Sequence, residues 1–146
     1  MSQLSDDAFE LERFVSAQAG VIEQVRRELA EGRKRSHWMW FVFPQLRGLG
    51  YSATAHRYGL SGLDEARAYL QHAILGPRLV ECTSLVNAVR GRSAHDIFGS
   101  PDDLKFRSSM SLFSRVPQAS AVFQRALEQY FGGAPDPRTL QLLHER

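Results

Sequence analysis

The chain has 146 residues, 43% of them hydrophobic and 23% charged, which suits about one folded domain and excludes wholesale disorder. A net charge of +2 excludes a polyanion-coating tail. The longest apolar stretch, Trp38 to Pro44, falls far short of the ~20 residues that a bilayer crossing needs.

Serine, aspartate and proline starts alternate with glycine stops, and the apolar spacing between them is mostly helical. A cap at Ser5 or Asp6 predicts a short first helix outlined by Phe9, Leu11, Phe14 and Val15. Val21, Ile22, Val25 and Leu29 stripe a second helix, with Glu23, Arg26, Arg27, Glu28 and Glu31 on its wet side and Gly32 as its stop. Ser36 is placed to cap His37 to Phe43, read as a short helix ended by Pro44. Ser52 opens a helical turn towards Tyr58. Ser61-Gly62-Leu63-Asp64 resembles a capping pattern for a helix through Leu70. Pro77 leads a longer helix with Leu79, Cys82, Val86 and Val89 on one face, ending at Gly91. Ser93 and Asp96 bracket a brief turn ending at Gly99. Ser100-Pro101-Asp102-Asp103 gives the strongest helix start, with a cap, a proline and two acids; that helix runs to about Arg115 and buries Leu104, Met110 and Leu112 or Phe113. Val122, Phe123, Ala126, Leu127 and Tyr130 stripe the next, stopped by Gly132-Gly133. Asp136-Pro137 caps a last short helix with Leu140 and Leu143. The expectation is an all-α single compact domain of short helices over 1–146, ordered from about 5 to 143.

Several templates fail. Gly48-Leu-Gly50-Tyr-Ser-Ala53 matches a dinucleotide fingerprint as a string, but Pro44 interrupts the approach and no strand–helix–strand period follows, so it reads as a glycine turn. The five histidines are scattered and Cys82 is the one cysteine, so no metal site and no cofactor are expected. Cys82 lies on an apolar helix face and reads as a buried, inert thiol. A lone cysteine, with no basic-then-apolar run in Met1 to Asp7, predicts a cytoplasmic protein.

Two segments carry chemistry. In Arg33-Lys34-Arg35-Ser36-His37-Trp38-Met39-Trp40-Phe41-Val42-Phe43, three cations run into four aromatic rings. Cations hold an anion while a ring stacks a flat group, so Arg35, His37, Trp38 and Trp40 are candidate ligand-binding residues; the bland alternative is a basic connection leading into a core plug. In the second segment, Ser93 to Met110, helical spacing puts Asp102, Lys105 and Ser109 on one face. Asp102, Asp103 and Lys105 are the candidate catalytic groups there, and Ser109 a further ligand contact. The alternative is an ordinary capped helix with a surface ion pair. The 18 basic side chains include only two lysines, Lys34 and Lys105, one in each segment.

The stretches Gly32 to Gly50, Glu65-Ala-Arg-Ala-Tyr-Leu70, Leu75-Gly-Pro-Arg-Leu79 and Ser93 to Phe113 resemble the bacterial family called domain of unknown function 1810, from about Leu4 to Leu143. That resemblance implies a single, mainly helical domain and a mycobacterial or other actinobacterial conserved hypothetical protein; it implies no reaction. Some members carry a calpastatin label, but those inhibitors are extended, disordered repeats, unlike this chain. A looser likeness joins Trp38 or Trp40 and the Asp103…Lys105…Met110 stretch to helical glycosidases of ADP-ribose-linked metabolites.

The leading expectation is a helical domain with a pocket for an anionic, nucleotide-like small molecule. Its rival is an N-glycosidase or related hydrolase, with Asp102 or Asp103 as the carboxylate stabilising an oxocarbenium-like state. Nucleic-acid binding through Arg26, Arg27, Arg33, Lys34 and Arg35 is disfavoured by the interspersed Glu23, Glu28 and Glu31. A protein-interaction domain is the fourth reading.

Overall fold

The three-and-four spacing of apolar residues becomes a set of buried helix faces in the computed structural model, which describes residues 7–146. The helices are α1 (Glu12–Ala19), α2 (Ile22–Ala30), α3 (Met39–Val42), α4 (Ala53–Tyr58), α5 (Leu63–Gln71), α6 (Leu75–Ala88), α7 (Ala94–Phe98), α8 (Asp102–Phe113), α9 (Val122–Phe131) and α10 (Pro137–Glu145). Among the described residues, the one piece of β pairing is an isolated parallel bridge between Leu46 and Leu60. The fold is all-α, and no helix among the described residues is long and apolar enough to cross a membrane.

The two longest helices organise the rest. α6 packs against α2, α5 and α9, and α8 packs against α3, α5, α7, α9 and α10. Phe106, at the centre of α8, is fully buried and meets Phe98 at 4.7 Å, Phe43 at 5.1 Å and Phe131 at 6.3 Å between ring centres. A second aromatic line runs Phe14, Tyr69, Phe113, Phe123. Rings at these separations gain edge-on and offset contacts beyond the burial of their area.

Two of the expected starts form as read, and the brief turn expected between Ser93 and Gly99 is the short helix α7. Ser52 accepts from the Ala55 amide, Ser93 and Asp96 complete a reciprocal capping box, and Asp136 accepts from the Thr139 amide with Pro137 in the first turn. Other details differ. The Ser5 or Asp6 cap lies outside the described residues. α1 begins only at Glu12, because Glu10 takes a left-handed conformation (φ 55°) that breaks the approach, and the Asp7 carboxylate accepts from the Glu12 amide. Ser36 does not cap α3; its hydroxyl is drawn to Glu28 instead. At α5 the acid that closes onto Ser61 is Glu65 rather than Asp64, accepting from both the Ser61 amide and hydroxyl. α8 has Pro101 at its cap position, and its first amides reach the carbonyls of Gly99 and Pro101, so the Ser100 hydroxyl is not needed. Leu104 is 56% exposed because the inward stripe of α8 passes through Phe106, Met110 and Phe113. In α10 the fully inward positions are Thr139 and Leu142, with Leu140 and Leu143 at the margin.

The α5–α6 corner leaves no room for a side chain at Gly76. A Cβ on Gly76 would stand 2.1 Å from the carbonyl oxygen of Leu70. Gly76→Ala should therefore lower unfolding free energy by about 2–4 kcal/mol, because that oxygen belongs to rigid backbone. Gly20→Ala, with nothing within 4 Å of its added methyl, should change it by less than about 1 kcal/mol. Urea titrations of the two variants measure the contrast.

Candidate functional site

The site begins with how α2 ends. Gly32 is left-handed (φ 75°), the Gly32 amide donates to Leu29 and the Arg33 amide to Glu28, which reverses the chain at the helix end. The reversal lays residues 35–38 back along α2, where the Glu28 side chain waits. Glu28 is fully buried and its carboxylate accepts five hydrogen bonds: from the Arg35 amide (2.7 Å), the Ser36 amide (3.0 Å), the Ser36 hydroxyl, the Trp38 indole N–H (3.0 Å) and the Gln24 amide group (2.7 Å). Burial alone pushes this carboxyl up; the donors of Ser36, Arg35 and Gln24 outweigh it and hold it at about 2.

That anchoring sets Lys34. Its amide donates to the Ile97 carbonyl (2.7 Å), and its side chain, 7% exposed, places Nζ 2.8 Å from Asp102 Oδ2. Lys105, one turn along α8 from Asp102, places its Nζ 3.2 Å from Oδ1. Lys34 Nζ also lies 5.2 Å from the Trp38 ring centre, and Lys105 Nζ lies 4.0 Å from that of Trp40. The chain's two lysines thus share one carboxylate, and each sits over one of its two tryptophans.

The sequence-predicted residues divide accordingly. Asp102, Lys105, Trp38 and Trp40 come together. Trp38, only 1% exposed, offers no open face to a ligand, because its N–H is needed at Glu28 and its ring packs on Phe43. Trp40 is half-buried and retains an accessible edge. Arg35 and His37 are exposed, with the Arg35 guanidinium held by Glu31 one turn back. Asp103 turns to His95, 3.5 Å away. Ser109 is fully buried and its hydroxyl has no partner among the described residues. Glu28 and Lys34 were not read as members of the site. The available signals were Glu28's i−1 position beside the apolar Leu29 and the scarcity of lysine.

Chemically, the cluster carries two ammonium groups against one carboxylate. Both Asp102 oxygens are engaged, one by each ammonium group. Cys82 is buried at the α6 core face, and burial, with the nearby Glu81 charge, pushes its thiol up to about 12. Among the described residues, no group of three or more His, Cys, Asp or Glu side chains could hold a metal ion.

The profile of a family described as "Protein of unknown function (DUF1810)" matches residues 8–143. The conserved hypothetical protein Rv1873 from Mycobacterium tuberculosis, known from a crystal structure, is 62% identical, with a TM-score of 0.93 over 94% of this chain and 99% of that one. No curated relative matches.

Because the Glu28 carboxyl is held below its ordinary value in the folded state, its stabilising effect is fully present above about pH 4.5 and is lost as pH falls towards about 2. Glu28→Gln should lower stability at neutral pH by about 3 kcal/mol, the worth of that displacement, and flatten the decline between pH 5 and 2. Urea midpoints across that pH range, followed by tryptophan fluorescence, test both effects.

Proposed function

The chain belongs to the DUF1810 family, and we propose that it binds a small anionic molecule bearing a flat ring, with Lys105 and Trp40 as the contacts. The observation that carries this reading is the ammonium of Lys105 held 4.0 Å over a half-exposed indole and beside a carboxylate already shared with Lys34. Lys105 retains donor capacity, and the ring beside it offers stacking surface.

Charge placement supports a small molecule over nucleic acid. Arg26 is engaged by Glu23 and Glu81, Lys34 by Asp102 and Arg35 by Glu31, so three of the five cations of the basic cluster are paired in place. A reducing cytoplasmic setting belongs to the proposal, supported by the single, buried thiol.

Trp40 supplies its own reporter. Adding AMP should change tryptophan fluorescence and raise the melting temperature, and ribose 5-phosphate should do so more weakly, since it lacks the ring. Lys105→Met should weaken AMP binding about tenfold, the effect of one charge-assisted hydrogen bond, while Arg125→Met leaves it unchanged. Absence of any AMP response at millimolar concentration, or an unaltered affinity in Lys105→Met, would overturn the reading.

A further inference from the structure

A cavity lies away from the lysine cluster. Its volume is about 850 Å³, within the range of small-molecule sites, and it opens between α5, α6 and the loop 116–120 that leads to α9. The floor is apolar, built by Leu70, Val80, Val116 and Phe123, with Pro77 and Pro117 at the sides. Two charged side chains line it, Arg67 and Glu81. They are not equivalent. Glu81 is already engaged, accepting from Arg26 at 3.0 Å, whereas Arg67 is exposed and has no carboxylate within ion-pair distance among the described residues. The cavity therefore presents an apolar interior and one uncompensated positive charge.

Two further observations indicate a preformed site. The α5–α6 wall is locked by the close approach of Gly76, itself a lining residue, to Leu70. The opposite wall contains Gln118 with φ 65°, a left-handed conformation that is unfavourable for a non-glycine residue. Strain of this kind persists where the surrounding structure over-determines a loop, and it concentrates at ligand clamps.

We propose that this cavity binds a small monoanionic amphiphile, an apolar body ending in a carboxylate, with Arg67 holding the head group and the Leu70–Val80–Phe123 floor taking the body. An apolar body removes that floor from water, and a carboxylate matches the guanidinium fork in a two-point contact. Neutral or cationic amphiphiles would leave Arg67 without a partner.

The test is a ¹H–¹⁵N NMR titration of the whole chain with octanoate, octanol and octylamine as probes. Octanoate should shift the amides of residues 67–71, 76–81 and 116–120, and should bind at least fivefold more tightly than octanol, with octylamine weakest. Arg67→Met, on an exposed side chain, should remove the advantage of octanoate over octanol while leaving octanol binding in place. Lys105→Met should have no effect, which separates this site from the AMP-responsive one. The proposal is overturned by shifts confined to other residues, by octylamine binding as well as octanoate, or by undiminished octanoate preference in Arg67→Met. Concentration-dependent shifts of the same amides without any probe would assign the surface to a second copy of the chain and likewise overturn it.

Discussion

The buried carboxylate of Glu28 is the constraint on which the rest of the site depends. Glutamate is almost never fully buried unless its charge is answered, and here the answer is a ring of neutral donors rather than a cation. Those donors come from the side chain of α2 itself, from the backbone of the returning segment, and from Trp38. Satisfying one charge therefore fixes the path of residues 35–38. Once that path is fixed, Lys34 has a single place to go, between Trp38 and Asp102. The first turn of α8 is tied to the end of α2 as a consequence.

A related device operates at Glu65, where a cation joins the neutral donors. Glu65, 2% exposed, accepts from the Ser61 amide at 2.8 Å, the Ser61 hydroxyl at 2.9 Å and Arg13 at 2.8 Å. Arg13 then spends its remaining donors on the carbonyls of Phe9, Glu10, Arg57 and Gly59. Two buried glutamates thus organise two irregular segments, 33–38 and 59–61, that have too little regular structure to satisfy their own backbone groups. Around them the aromatic lines through Phe106 and Tyr69 fill the space between the helices. Polar groups set the paths of the loops, and rings set the spacing of the helices.

How much was legible can be judged from particular residues. Ser52 and Asp136 with Pro137 were readable as helix starts, and Ser93 with Asp96 as a turn, because a cap acts within three residues of itself. The Gly32 stop was readable for the same reason. Asp102 and Lys105 could be placed on one face from spacing alone, and the structure brings them together. Leu104 could not be placed, since α8 meets neighbours on several sides and its inward stripe is set by Phe106, Met110 and Phe113. Ser36 looked like a cap, but a buried acceptor eight residues earlier in the chain competed for its hydroxyl and won. The cavity beside Arg67 left no local trace, since its walls come from segments separated by some forty residues.

The sequence by itself determined the all-α character, most of the helix starts and stops, and the membership of two lysines and two tryptophans in two unusual segments. Each of these is encoded within one or two turns of chain, where capping, φ preference and apolar periodicity act. Tertiary structure alone decided that a wet-looking glutamate in the charged face of α2 would be buried, and that Trp38 would serve the core while Trp40 kept an open edge. It also decided that both lysines would meet at one aspartate. Those outcomes depend on which surfaces face each other across the fold, and on a buried charge drawing donors from wherever the packed chain can bring them.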